Sequence, residues 1–320
     1  DNVCLFNNGT LALQLGLQGM GITGEVITTP FTFVATTHAL YANKIRPVFV
    51  DIDPDTYNMD PDKVEAAITP WTTAILGVHV FGNPCNIEAL ADIARRHNIK
   101  LIFDAAHAFG VEVGGRSIAH CGDMSMFSFH ATKVFHSLEG GMLVFRDSAL
   151  KQTFDYLKNF GFEGETEVVM PGTNAKMNEI QALMGVTVLE HIDRVIEKGR
   201  TIAERYKQHL SGIPGLRFQA CREPEATLNY SYFPVEVVED EFGMSRDDLF
   251  YRLREFKIIV RRYFYPLVCD YSCYKQVPVS DPLSVARGVS SRILTLPTYF
   301  DLKLEDVDKI CDVMVHLSNS

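Results

Sequence analysis

The sequence has no uninterrupted apolar run that approaches the length of a membrane span, and its first residues lack a basic region followed by an apolar one. Neither a spanning helix nor a secretory leader is expected, so the chain should be soluble. Its seven cysteines (Cys4, Cys85, Cys121, Cys221, Cys269, Cys273 and Cys311) are odd in number, scattered and without a CxxC pair. They read as reduced thiols of a cytoplasmic protein. Positive charge is in deficit too: 30 Lys and Arg against 40 Asp and Glu leave a net charge of −10. That excludes the broad basic face which nucleic acid or an anionic membrane requires, while a small anionic ligand remains compatible with a local cluster of bases. No repeat and no low-complexity segment is present. The set His79, Asp104, His107, His130 and His136 contains no HxH or HxxxH pair within one element. A metal-dependent hydrolase is therefore only a rival enzyme class. The chain opens at Asp1 without a methionine and enters an apolar strand almost at once, so preceding sequence is expected.

What is present is a 320-residue chain, 47% hydrophobic, long enough for two domains with real cores. Up to about Phe145 short apolar runs alternate with amphipathic stretches, the pattern of a βαβ series. Strands are expected at Val3–Phe6, Glu25–Thr28, Pro47–Val50, Thr73–His79, Lys100–Asp104, Ser125–Phe129 and Gly141–Phe145. Helices are expected at Leu11–Met20, Val34–Asn43, Pro61–Ile68 and Ile87–His97. The third has Asp60 at its cap and Pro61 at its first position, where the missing N–H costs nothing. This half reads as a mostly parallel α/β sheet. Beyond it come helices over Ala149–Phe160 and from Asn178 to about Leu210, then a smaller α+β part with strands at Leu216–Gln219, Tyr230–Val237 and Ile258–Arg262 and helices at Ser245–Phe256 and Leu304–Leu317. We place the domains at 1–195 and 196–320.

Lys133 stands just past the apolar run Met124–Phe127, in Ser128-Phe129-His130-Ala131-Thr132-Lys133, with Glu139-Gly140-Gly141 after it. A lysine amine forms a Schiff base only when neutral, so reactive lysines are desolvated or placed near positive charge. Taken alone, Lys133 reads as an ordinary surface lysine after a strand. Asn7-Asn8-Gly9-Thr10 opens the first helix, where free N–H groups and the helix dipole suit a phosphate; an ordinary cap is the plainer reading. Asp104 ends an apolar strand, the end at which open α/β sheets bind ligands, and an acid there can pair with a cationic ring nitrogen or merely cap a helix. Phe31 and Phe33 suit a core or the face of a planar cofactor. In the C-terminal part, Arg261-Arg262-Tyr263-Phe264-Tyr265-Pro266 sets two cations beside aromatics, which suits a nucleotide diphosphate or a solvated strand. Asn229-Tyr230-Ser231-Tyr232 is a weaker candidate for the same cleft.

Together these segments, with Thr29-Pro30-Phe31-Thr32-Phe33-Val34-Ala35-Thr36, Asp104-Ala105-Ala106-His107 and Gly172-Thr173-Asn174-Ala175-Lys176-Met177-Asn178-Glu179, occur in the order and approximate spacing of one family. Over almost its whole length the chain resembles the DegT/DnrJ/EryC1/StrS sugar aminotransferases. The resemblance implies a pyridoxal 5'-phosphate enzyme of fold type I, with a mostly parallel seven-stranded sheet flanked by helices and a smaller α+β domain. It implies Lys133 as the Schiff-base lysine, Asp104 on the pyridinium nitrogen, Gly9, Thr10 and Ser128 on the phosphate, and Phe33 stacked on the ring. His107 stands where many relatives have glutamine facing the ring hydroxyl. Asn174 and Lys176 would reach the phosphate of a neighbouring subunit's cofactor, implying a homodimer with shared sites. His79, Arg261, Arg262, Tyr263 and Tyr265 are expected to bind substrate. The FHATK form of the lysine motif resembles a subgroup of dideoxy-sugar transaminases. The implied reaction moves an amino group from L-glutamate to a dTDP-linked 4-keto-6-deoxyhexose, for polysaccharide or glycoside synthesis. A 3-keto sugar, or a GDP or UDP carrier, would leave the same motifs. A sugar dehydratase of the same fold, in which histidine replaces the lysine, and a non-catalytic cofactor-binding regulator are the remaining rivals.

Overall fold

The computed structural model describes residues 2–223, 225–277, 279 and 281–318. The seven expected strands are β1 (Val3–Phe6), β2 (Glu25–Thr28), β3 (Arg46–Phe49), β4 (Thr72–Val78), β5 (Lys100–Asp104), β6 (Met124–Ser128) and β7 (Gly141–Phe145), with ends displaced by one residue at β3, β4 and β6. They form one sheet in the order β1-β7-β6-β5-β4-β2-β3. β7 runs antiparallel to both neighbours, and every other pairing is parallel. Parallel strands are covered on both faces and lose polar alternation. Accordingly Glu25, Val26, Ile27 and Thr28 of β2 are all buried.

The helices α1 (Gly9–Gly19), α2 (Val34–Ala42), α3 (Pro61–Ala66), α4 (Ile87–His97) and α5 (Leu150–Lys158) flank this sheet. One core packs Leu13 and Leu17 of α1 with Leu40, Ile102, Leu143 and Phe154; another packs Leu90 and Ile93 of α4 with Ile27, Ile75 and Phe103. Helix α1 begins earlier than expected. Asn8 is its cap, with Oδ1 accepting from the Leu11 N–H at 2.8 Å, so Gly9 and Thr10 are its first two helical residues.

The helical stretch after Asn178 is two helices, α6 (Glu179–Leu189) and α7 (Ile192–Leu210), not one. Asn178 and Gln181 form a reciprocal capping box at the start of α6. Helix α7 runs through the position where we expected a boundary. Its first residue, Ile192, packs beside the cluster of Phe127, Phe129 and Phe135, while Ile202, Tyr206 and Leu210 enter the C-terminal core.

That C-terminal layer is an antiparallel sheet of β8 (Leu216–Phe218), β9 (Phe233–Val237) and β10 (Ile293–Leu296), packed with α7, α8 (Arg246–Glu255) and α10 (Leu304–Ser318). Helix α9 (Ser284–Arg292) and β10 were not anticipated, and β9 starts only at Phe233. The strand expected at Ile258–Arg262 is absent: the segment makes one isolated bridge, Arg261 to Thr295. The ladder stops because the chain then turns to pack Phe264 against Phe31 and Phe81, at ring separations of 5.5 and 5.6 Å. A second tie joins the layers. Asp51, just past β3, accepts the N–H groups of Val285 and Ala286 in the first turn of α9 at 2.9 and 2.7 Å.

Candidate active site

A cavity of about 650 Å3 lies at the C-terminal ends of β5 and β6, against the first turns of α1 and α2. Its walls bring together Gly9, Thr10, Phe33, Asp104, His107, Ser128, Lys133, Arg261 and Tyr263. These residues come from both layers of the fold.

The α1 end of the cavity is set by close packing. A Cβ on Gly9 would sit 2.9 Å from Cβ of Ser128, and one on Gly141 would sit 2.5 Å from the Asn8 carbonyl oxygen. Only glycine permits that approach, which draws the Ser128 hydroxyl up to the first turn of α1. Unpaired first-turn amides beside a hydroxyl make an anion cradle.

Lys133 sits in the loop after β6. The loop is closed by hydrogen bonds from the Phe129 N–H to the Gly140 carbonyl (2.8 Å), the Ser137 N–H to the Phe129 carbonyl (3.0 Å) and the Lys133 N–H to the His130 carbonyl (2.9 Å). Its Nζ donates to the Tyr232 hydroxyl at 3.3 Å. Burial drives the amine pKa down to about 8; Asp104 opposes this shift and Arg261 adds to it. A substantial neutral fraction at ordinary pH is what a nucleophilic amine needs.

Asp104 is buried, and desolvation raises its pKa. Its Oδ2 accepts from the Thr36 hydroxyl at 2.7 Å, Oδ1 accepts from the Ala106 N–H at 3.1 Å, and Lys133 pulls the pKa down. Thr36 in turn shares a 2.8 Å hydrogen bond with Thr32. The His107 ring lies 4.5 Å from that of Tyr232, and its Nδ1 accepts from the Phe81 N–H at 3.2 Å. Burial and the nearby Lys133 keep it well below the usual imidazole pKa, so it is a neutral ring. Phe33, at the cap of α2, is a large aromatic left 54% exposed beside this acid.

Five expected residues lie elsewhere. His79 is completely buried, with its ring stacked on Phe103 at 4.5 Å and its Nδ1 accepting from the Cys85 N–H at 3.0 Å, so substrate does not reach it. Arg262 and Tyr265 face away from the cavity. Arg262 pairs with Asp247 at 3.0 Å and lies over Phe250, while Tyr265 carries the guanidinium of buried Arg246 at 4.5 Å. Arg246 also donates to the carbonyls of Ser290 and Ile293, so this network holds the segment whose Arg261 and Tyr263 do line the cavity. Asn174 and Lys176 are also outside it. Lys176 Nζ donates to Asn159 Oδ1 (2.6 Å) and Asn174 Oδ1 (3.2 Å) and lies over Phe160. Sequence reasoning missed Thr36 as the partner of Asp104; its hydroxyl in the first turn of α2, three residues after Phe33, was the available signal. Among the described residues no group of three or more His, Cys, Asp or Glu could hold a metal ion, and no helix is long and apolar enough to cross a membrane.

The set fits pyridoxal 5'-phosphate: an anion cradle at one end, a buried acid and a depressed lysine at the other, and an aromatic between. Fold and site define a pyridoxal-phosphate-dependent aminotransferase of fold type I. The chain belongs to the DegT/DnrJ/EryC1/StrS aminotransferase family, whose model matches residues 1–315. It is similar to a dTDP-4-amino-4,6-dideoxy-D-glucose transaminase of Shigella dysenteriae, 46% identical over 311 residues, covering 97% of this chain and 84% of the relative. A protein of the same name from Escherichia coli is 42% identical over 320 residues, with 98% and 85% covered. The solved structure of DesI in the presence of its TDP-sugar product superposes with a TM-score of 0.93 at 39% identity, covering 99% of this chain and 80% of that one.

Proposed function

We propose that this enzyme transfers the amino group of L-glutamate to C4 of a dTDP-linked 4-keto-6-deoxyhexose, giving a dTDP-4-amino-4,6-dideoxyhexose. The observation that carries amino transfer is the half-buried, pKa-depressed Lys133 facing Asp104 beside an anion cradle. The choice of sugar and carrier is supported by the names of the two transaminases above.

Gly9, Thr10 and Ser128 would hold the cofactor phosphate, with Phe33 and neutral His107 available to its ring. When bound, pyridoxal phosphate supplies a covalent anchor for the amine and an electron sink. Asp104 would pair with a cationic ring nitrogen, each charge favouring the ionised form of the other. Lys133 would take a proton from the amino donor's carbon as general base and, in the sugar half-reaction, deliver one as general acid to the carbon that receives the amine. Tyr232 holds the amine in place between these roles. Arg261 and Tyr263 bind the nucleotide-sugar.

The working unit in this reading is a cytoplasmic homodimer in which Asn174 and Lys176 of one protomer reach the cofactor phosphate of the other. Helix α6 supports it: Ile180, Leu183, Val186 and Leu189 are 67, 65, 61 and 49% exposed, an apolar stripe of the kind that marks an interface. A sugar dehydratase is disfavoured because Lys133 is retained where those enzymes carry histidine.

Borohydride treatment of the yellow holoenzyme should fix the cofactor on Lys133; trapping on any other lysine overturns the reading. A panel of dTDP-, UDP- and GDP-linked 4-keto and 3-keto sugars with glutamate, read by mass, tests the substrate. Preferential amination of a 3-keto sugar, or of a GDP or UDP sugar, replaces it.

A further inference from the structure

Amino transfer asks for proton movement at two kinds of atom. One is the carbon that loses or gains hydrogen, which Lys133 serves. The other is oxygen: a carbonyl carbon that takes up nitrogen gives up its oxygen as water, and that oxygen must be protonated to leave. Release of the keto acid runs the same exchange backwards.

Among the described residues Tyr232 is the one side chain to which the Lys133 amine donates, at 3.3 Å. Contacts of this kind are often long before substrate binds. The phenol is carried from the C-terminal layer, just ahead of β9, by a segment held on both sides. Buried Asn229 donates to the carbonyls of His107 and Phe109 at 2.8 and 2.9 Å and accepts from the Ser231 N–H at 3.2 Å, while the Ser231 carbonyl accepts from the Thr298 hydroxyl at 3.0 Å. The Tyr232 ring then lies 4.5 Å from that of His107, 5.6 Å from that of Phe81 and 6.2 Å from that of Tyr263. A ring so packed keeps its place, and only its O–H rotates. A tyrosine hydroxyl accepts and donates at once. The Lys133 amine fills the accepting side, and no acceptor among the described residues takes the phenol's own proton. Burial and the neighbouring Tyr263 push the phenol pKa up, so it gives up that proton only where another replaces it.

We propose that Tyr232 is a second catalytic acid–base group, which passes protons between Lys133 and the oxygen of the carbonyl carbon that exchanges oxygen for nitrogen. The exchange balances without oxidant or reductant: one C=O and two N–H bonds become one C=N bond and one molecule of water. Both hydrogens of the incoming nitrogen end on the departing oxygen. In each of two passes Lys133 takes one from the nitrogen, Tyr232 gives one to the oxygen, and Lys133 restores it. This rests on the aminotransferase reading and adds a group for the work at oxygen to the one that works at carbon.

The test separates work at carbon from work at oxygen in Tyr232→Phe holoenzyme. Exchange of the α-hydrogen of L-glutamate with D2O, read by mass, should fall by no more than a few-fold, because Lys133 serves that carbon. Release of 2-oxoglutarate in a single turnover should fall by about 10^2-fold, and amination of the keto sugar with it. Borohydride should still fix the cofactor on Lys133, which establishes that the variant is folded. In the cofactor-free protein, the pH midpoint for modification of Lys133 by an amine reagent should fall in the variant, since the charged amine loses its acceptor. Undiminished release of 2-oxoglutarate overturns the proposal. Equal losses in exchange and release do so too, since they assign Tyr232 to holding the site together. Absence of glutamate exchange in the unaltered holoenzyme instead removes the aminotransferase reading itself.

Discussion

Asp104 and Asp51 are both buried carboxylates at the same edge of one sheet, the first ending β5 and the second just past β3. Their surroundings differ. Asp51 accepts three backbone N–H groups, from Ile52, Val285 and Ala286, and its charge faces the positive end of α9. Asp104 accepts one backbone N–H and one hydroxyl, and both it and Lys133 line the cavity. A carboxylate has about four acceptor positions, so Asp104 keeps capacity for a further donor. Burial at a strand end does not distinguish a working acid from a structural one; acceptor positions left open onto a cavity do.

That contrast breaks first if Lys133, which only Asp104 faces, proves dispensable. Lys133→Ala should abolish borohydride trapping and lower turnover by more than roughly 10^4-fold, combining loss of nucleophile and proton carrier. Asp104→Asn should lower turnover by on the order of 10^2- to 10^3-fold while leaving thermal stability equal or improved, since burial already disfavours the ionised acid. Asp51→Asn should do the reverse, with about 1–3 kcal/mol lost in urea unfolding and turnover little changed. Matching Tm losses in the two variants would erase the distinction. Thr36→Val removes a hydroxyl from Asp104 and should reduce turnover by about three- to tenfold, with Thr36→Ser restoring most of it.

The smallest effect sharpens the electrostatics. Below its depressed pKa Lys133 is protonated and inert, and above it the amine is neutral. Modification of Lys133 by an amine reagent in the cofactor-free protein should therefore rise through about pH 8. Asp104→Asn removes a charge that favours the protonated amine and should lower this midpoint; Arg261→Ala should raise it. A midpoint near the ordinary lysine value of 10.5 in the unaltered protein refutes the burial assigned to this amine.

The βαβ half was legible because its strands are apolar runs whose identity depends on local composition, and their ends moved by a single residue at most. Lys133, Asp104 and Ser128 were legible only as a joint pattern, since the contacts that shift the lysine come from residues as remote in sequence as Arg261. The run from Arg261 to Tyr265 shows where sequence reading stops. Without a ladder no period of two is imposed, so nothing local tells which of its side chains face the cavity and which pack on Arg246 and Asp247. The division of α6 from α7 was hidden because an exposed apolar stripe continues the helical pattern without contributing to the core. The Asp51 clasp joins residues more than 230 positions apart, and no local rule reaches that far.

The contact of Gly9 with Ser128 and of Gly141 with Asn8 has a consequence for how this site tolerates mutation. A side chain at either glycine collides with main-chain atoms or a neighbouring Cβ, and no flexible tip can move aside. Saturation mutagenesis should therefore find Gly141 less replaceable than Thr10 or Ser128, whose side chains border the open cavity. The positions most constrained by this chemistry carry no functional group of their own.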